Sequence, residues 1–174
     1  MNYDIPDKNL FMMCRTLNRK ALSALPAEYH IRTCRGDELG LWKGIHFDSV
    51  AEAEEYRAFM TKYFEDVYGG KKELFFQKCL FACDENDTPL GTCFAWKAYE
   101  HITTIHWFKV IKAQEGRGIG RALLSTVMNG LAQEEYPVFL HTQPSSYRAI
   151  KLYTDFGFAL LTDPVEAHFL FKWY

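Results

Sequence analysis

The stretch of this chain best suited to chemistry is Gln114-Glu115-Gly116-Arg117-Gly118-Ile119-Gly120-Arg121, which follows the apolar run 105–111 and opens a helical pattern. Glycines at alternate positions let successive backbone N–H groups converge without Cβ clashes, and the helix that starts here adds the positive end of its dipole. The combination suits an anionic pyrophosphate. A P-loop would need Gly-x-x-x-x-Gly-Lys-Ser/Thr, and neither Lys-Ser nor Lys-Thr follows these glycines. A dinucleotide fingerprint would need Gly-x-Gly-x-x-Gly after the first strand of a βαβ unit. The pattern here is Gly-x-Gly-x-Gly, two thirds of the way along the chain. Taken alone, it also fits a glycine-rich surface turn.

The flanks change the balance. With Phe108-Lys109-Val110-Ile111-Lys112-Ala113 ahead of it, the stretch resembles the acetyl-CoA signature of the GNAT N-acetyltransferase superfamily, Val-x-Pro-x-x-Arg/Gln-Gly-x-Gly-x-Gly/Ala. Downstream, Ser146-Tyr147-Arg148-Ala149-Ile150-Lys151-Leu152-Tyr153-Thr154-Asp155-Phe156-Gly157-Phe158 is similar to the second signature, Asn-x-x-Ala-x-x-Leu-Tyr-x-x-x-Gly-Phe. The resemblance is close over residues 105–160, and elsewhere it rests on the order of elements. Lys112 stands in place of the usual Pro, Glu115 in place of Arg or Gln, and Ser146 in place of Asn.

The resemblance implies acetyl-CoA as the cofactor, its pyrophosphate on main-chain amides of Glu115, Gly116, Arg117, Gly118, Ile119, Gly120 and Arg121, with Ser146 and Ala149 contributing from the second motif. Arg117 and Arg121 offset the Glu115 charge. It further implies an α/β fold: a central mixed, mostly antiparallel twisted sheet flanked by helices, in which strands 102–111 and 137–142 lie parallel and splay. The pantetheine would run along Phe108, Lys109 and Val110, pairing with main chain at Phe108 and Val110 as a pseudo-strand.

Amine attack on a thioester needs a neutral amine, a donor to the developing oxyanion and a proton for the departing thiolate. Tyr153 matches the family tyrosine for the last task, since a phenol of pKa about 10 stays protonated at neutral pH. An amphipathic core tyrosine would occupy the same place. The strand that commonly supplies a glutamate base in the superfamily here reads Thr103-Thr104-Ile105-His106-Trp107-Phe108. His106 is its titratable candidate, because an imidazole pKa near 6.5 suits proton removal at neutral pH. A structural histidine at position 106, His141 as base, and an ordered water chain all stay open.

The same resemblance places the acceptor near Trp42, His46, Tyr56, Phe59 and a loop at Asp163, surroundings that suit a small, cationic, partly apolar primary amine. An aromatic helix face equally makes core. A peptide or protein amine is the alternative acceptor, and a non-catalytic acyl-CoA-binding sensor module is the alternative function.

Composition agrees with one domain over residues 1–174, with 1–27 as an N-terminal extension. A chain of this length buries roughly 70% of its unfolded surface. A net charge of −2 gives no basic footprint for nucleic acid. Every apolar run falls short of the ~18 residues of a membrane span, and Met1-Asn2-Tyr3-Asp4 lacks the regions of a signal peptide, so the expectation is a cytoplasmic protein off the membrane. A homodimer is left open. The five cysteines (Cys14, Cys34, Cys79, Cys83, Cys93) lack a Cys-x-x-Cys pair, so neither a metal nor a disulfide framework is expected, and most read as small buried hydrophobes.

The elements that must position these residues follow from periodicity and caps. Strands are expected at 9–17 and 29–35, with a helical turn at 20–25 and an Asp37-capped helix bearing Leu39, Trp42 and Ile45. Ser49 and Glu52 read as a capping box for one helix with a stripe at Ala53, Tyr56, Met60, Tyr63, Phe64 and Val67, ended by Gly69-Gly70. Strands 74–84, 90–98 and 102–111 form a meander. The helix after the glycines buries Ile119, Ala122, Leu123, Val127 and Leu131, and is followed by a buried strand 137–142. Ser145 or Ser146 caps a helix ending at Gly157, and 158–161 with 167–173 make a terminal hairpin.

Overall fold

The computed structural model describes residues 9–162. They form a seven-stranded mixed sheet of order β2-β3-β4-β5-β6-β1-β7, flanked by helices. The strands are β1 (Leu10–Cys14), β2 (His30–Thr33), β3 (Leu80–Cys83), β4 (Pro89–Ala98), β5 (Ile102–Val110), β6 (Val138–Thr142) and β7 (Phe158–Leu160). The helices are α1 (Leu39–Gly44), α2 (Val50–Glu55), α3 (Arg57–Val67), α4 (Lys72–Lys78), α5 (Ile119–Asn129) and α6 (Tyr147–Asp155). By contacts the chain divides into two compact units.

One unit contains the described residues up to Leu22, Lys97–Ile105 and those from Leu131 on. Here β1 pairs antiparallel with β6 and with β7, and β5 runs parallel to β6 with Thr103 against Val138 and Thr104 against Phe139. That parallel pair is the one expected from the sequence, and both strands continue past it, to Val110 and Thr142. β6 is not buried throughout: Val138, Leu140 and Thr142 are buried while His141 faces outward, the period-2 pattern of a strand with two different faces. α6 ends where expected. Gly157 takes φ +97, which L side chains avoid, and the Asn18 side chain and main-chain N–H cap the Asp155 and Phe156 carbonyls at 2.8 and 3.0 Å. The expected hairpin strand 167–173 and the Asp163 loop lie outside the described residues.

The other unit contains Ser23–Trp96 and His106–Gly130. Its core is aromatic. Trp42, Phe64, Tyr68, Phe75 and Phe94 have no exposed surface, and Trp42 meets Phe75 and Tyr68 edge-on at centroid distances of 5.0 and 6.0 Å. Edge-to-face contact aligns ring quadrupoles favourably, about 0.5–1.5 kcal/mol per pair beyond burial.

Several local expectations change in this unit. Residues 74–78 are helical rather than strand: the run Leu74-Phe75-Phe76 is apolar enough for either, and α4 satisfies it by burying Phe75 while Leu74 stays exposed. The helix expected from Ser49 to Val67 is two, because it breaks at Tyr56, whose backbone sits at φ −91, ψ 4. Ser49 does cap it, accepting from Glu52 N at 3.1 Å, but the Glu52 carboxylate accepts from Asp48 N instead of completing the box. Asp37 is exposed and caps nothing. Glu38 takes the Arg35 main-chain N–H at 2.8 Å. The turn expected over 20–25 is a single 3-10 turn, Arg19–Ala21.

Glu38 does more than cap. Arg32 grips its two carboxylate oxygens at 2.7 Å each and reaches Asp87 Oδ1 at 2.6 Å, joining β2 to the β3–β4 turn. The guanidinium holds both carboxyls below the usual carboxylate range. His30, Cys83 and Asp87 also bring one nitrogen, one sulfur and one oxygen within 4.8 Å of one another, although Cys spacing alone showed nothing there. The Asp87 carboxylate is already engaged by Arg32, Arg35 and His30.

All five cysteines are free and buried. Burial pushes the Cys14 and Cys83 thiols up to about 11 and Cys93 higher still. No helix among the described residues is long and apolar enough to cross a membrane.

Candidate active site

The glycine turn sits between a 3-10 turn, Lys112–Gln114, and α5. Gly116 and Gly118 adopt φ +78 and +84, and Gly118 is the residue from which α5 starts. Gly118 brings no capping side chain and no acidic residue lies in the first turn, so the leading N–H groups of α5 suit an anion. A Cβ at Gly116 would project into space with no atom within 4 Å. Gly120 is different: a Cβ there would lie 3.1 Å from Phe108 Cζ and 3.4 Å from Val110 Cγ2, so this glycine permits close packing of α5 on β5. Ile119 is buried, whereas Glu115 and Arg117 are exposed and Arg121 is half-buried. An open helix N-terminus, two left-handed glycines and two nearby arginines fit a pyrophosphate.

β5 supplies the second part of this unit's site. Phe108, Lys109 and Val110 are half-buried, and the Lys109 ammonium pairs with Asp48 at 2.9 Å. Trp107 takes φ +49, a conformation that costs of order 1–3 kcal/mol for a bulky side chain and persists only where the surroundings impose it. Its indole packs at 4.6 Å from His46 and 5.1 Å from Tyr63. Burial and the nearby Lys109 charge push the His46 imidazole down to about 3, so it stays neutral, and its buried Nε2 has no hydrogen-bond partner among the described residues.

His106 is 7% exposed and lies in hydrogen-bond contact with Tyr68, Nδ1 to phenol oxygen 2.5 Å. Of the residues expected to line an acceptor pocket, Trp42 is fully buried in the core, His46 is beside Trp107, and Tyr56 and Phe59 are 43% and 55% exposed.

The remaining expected residues belong to the first unit. Tyr153 is 5% exposed on α6, its ring 5.8 Å from Phe158 at 60°. Ser146 is the residue before α6, yet its side chain makes no cap bond, and Ala149 follows in the first turn. His141 is exposed on β6 with its ring 6.2 Å from Phe11.

Sequence reasoning missed Tyr68, Trp107 and Gly91. Tyr68 stands one residue before Gly69-Gly70 and looks like a helix-end tyrosine. Nothing in a strand pattern marks the residue whose backbone will turn to positive φ.

The profile of the acetyltransferase (GNAT) family matches residues 46–158, well over half of the chain, and the chain belongs to that family. Solved structures agree in fold. An acetyltransferase of the GNAT family from Colwellia psychrerythraea superposes with TM-score 0.63 at 13% identity, over 91% of this chain and 54% of that one. A GCN5-related N-acetyltransferase from Sphaerobacter thermophilus gives 0.58 at 20% identity, over 90% and 49%. A tandem GNAT protein from the clavulanic acid biosynthesis pathway gives 0.65 at 14%, over 91% and 51%. This chain thus spans about half the length of these solved proteins. No curated protein matches the sequence.

Proposed function

We propose that this protein is an acetyl-CoA-dependent N-acetyltransferase that acetylates a small primary amine by direct attack in a ternary complex, with residues 1–174 acting as one catalytic domain. The observation that carries the reading is the uncapped α5 N-terminus behind left-handed Gly116 and Gly118. Main-chain N–H groups there hold the pyrophosphate, Arg117 and Arg121 balance its charge, and Phe108 and Val110 offer strand edges to the pantetheine. Bound acetyl-CoA supplies an activated acetyl thioester. His106 accepts the proton of the attacking amine, and Tyr153 donates its phenolic proton to the departing thiolate. Holding amine and thioester together contributes several kcal/mol through proximity alone. The net charge of −2 leaves nucleic acid an unsuitable acceptor.

The test is release of free thiol from acetyl-CoA with a panel of polyamines, amino acids, aminoglycosides and short peptides, with calorimetric binding of acetyl-CoA in parallel. Thiol release with a small amine, and initial rates that fit a ternary complex, support the proposal. Turnover with peptides alone moves the acceptor to protein or peptide amines. Binding without turnover would identify an acyl-CoA-binding module, the alternative that Glu115 in place of Arg or Gln suggests.

A further inference from the structure

We propose that the acceptor is an arylalkylamine, its ring received by the aromatic side chains of Phe47, Tyr56, Phe59 and Trp107. The inference rests on the N-acetyltransferase reading and narrows its amine to one class. β5 sets the first ring. Consecutive strand residues ordinarily face opposite sides of a sheet. Here His106 meets Tyr68 and Phe94 at 5.9 and 5.7 Å while Trp107 meets Trp42 and Tyr63 at 5.8 and 5.1 Å, all rings of one aromatic cluster. The positive φ of Trp107 breaks the alternation, so the indole and His106 share a face directly before the pantetheine segment that begins at Phe108. His46 and Tyr63 back the indole, which stays half-buried.

The loop between α1 and α2 brings the next pair. The Lys109–Asp48 ion pair at 2.9 Å pins this loop to β5. Phe47, one residue before Asp48, stacks on Tyr56 with centroids 5.2 Å and planes 12° apart. Tyr56 and Phe59 are 43% and 55% exposed, and Phe59 meets Tyr63 at 6.1 Å, so ring contact runs from solvent through Tyr63 to Trp107. An aromatic ring laid on these side chains gains offset or edge contact beyond the area it buries.

Charge separates this class from other small amines. Segment 47–59 has four acids, Asp48, Glu52, Glu54 and Glu55. Asp48 and Glu54 pair with Lys109 and Arg57, and the Glu52 carboxylate accepts from the Asp48 main-chain N–H. Only Glu55 has no partner among the described residues, and His46 beside the indole is neutral. A polyamine asks for several free carboxylates and an amino sugar for several polar partners, whereas one amine on a flat apolar body asks for neither. In the transfer the amine nitrogen forms the C–N bond to the acetyl carbon as the C–S bond breaks. The products are the N-acetyl arylalkylamine and coenzyme A, with one amine proton ending on sulfur.

The experiment follows thiol release from acetyl-CoA by the full chain with phenethylamine, tryptamine, n-hexylamine, spermidine and glucosamine. Phe47→Leu and Tyr56→Leu, which keep apolar bulk and remove a ring, are measured beside the parent. In the parent, kcat/KM for the two aryl amines should exceed that for n-hexylamine about tenfold or more. Each variant should narrow that ratio to about threefold or less, chiefly through the KM of the aryl amine. Tyr56→Leu, at an exposed ring, serves if Phe47→Leu melts early. Equal kcat/KM for aryl and alkyl amines, or a preference for spermidine or glucosamine, overturns the aromatic subsite and leaves the acetyltransferase reading standing. An aryl preference untouched by both variants overturns the assignment to these rings. Thiol release with none of the amines, in protein that binds acetyl-CoA, overturns both.

Discussion

Gly91 on β4 lies against the main-chain carbonyl of Lys109: a Cβ there would stand 2.8 Å from that oxygen and 3.1 Å from Leu123 Cδ1. Neither a backbone oxygen nor the buried Leu123 can give way cheaply. Gly91→Ala is expected to destabilise the fold by about 1–3 kcal/mol, the usual cost of overpacking. Urea denaturation measures it, and because Lys109 lies in the segment assigned to the pantetheine, acetyl-CoA affinity should fall as well.

The glycine turn separates packing from binding. Gly120→Val does not test the cradle, because its side chain would press on Phe108 and Val110 and cost stability. Gly116→Ala is the cleaner change: its Cβ meets nothing, and the left-handed backbone costs roughly 1–2 kcal/mol for alanine. Calorimetry should show weakened acetyl-CoA binding in a protein that still melts cooperatively. Parent affinity would remove the pyrophosphate from this turn.

Glu115 is exposed, so its charge is screened. Glu115→Gln should tighten acetyl-CoA by about 1 kcal/mol or less. A large loss of affinity instead would show that the carboxylate makes a needed contact.

Tyr153→Phe keeps the ring and its contact with Phe158 while removing the proton donor. Melting temperature and acetyl-CoA affinity should change little, whereas single-turnover transfer should slow by 10²–10⁴-fold, as expected for loss of a general acid. Unchanged transfer would return this tyrosine to a packing role.

The Arg32–Glu38 pair gives the fold an acid-sensitive joint. Glu38 titrates lower in the folded protein than in the unfolded chain, so its contribution is full above the unfolded value of about 4.3 and is lost as pH falls through the folded one. Arg32→Met strands a largely buried carboxylate and should cost about 3 kcal/mol at neutral pH. Thermal melts from pH 7 down to 3 should show a steep loss for the parent and a shallower one for Glu38→Gln.

The parts of this fold legible in the sequence are those where local chemistry and tertiary structure agree. The glycine spacing, the turn residues that separate β3, β4 and β5, and the Gly157 stop each carry a local reason for their geometry. Residues 74–78 misled because an apolar run fits strand or helix equally, and only the core that receives Phe75 decides. The Tyr68–His106 contact joins positions 38 residues apart through α3 and β5, and no spacing rule reaches that far. Trp107 is the hardest case, since its positive φ comes from surroundings that only the folded chain assembles.

The burial of every cysteine has a practical consequence for anyone who assays this protein. Elevated thiols such as Cys14 and Cys83 hold almost no thiolate at neutral pH, and thiolate is the form that reacts with aromatic disulfides and maleimides. A colorimetric reagent added to the folded protein should gain colour only slowly until coenzyme A is freed. The same reagent in denaturant should count five equivalents, so its slow colour development in buffer alone becomes a clock for how often the native core opens.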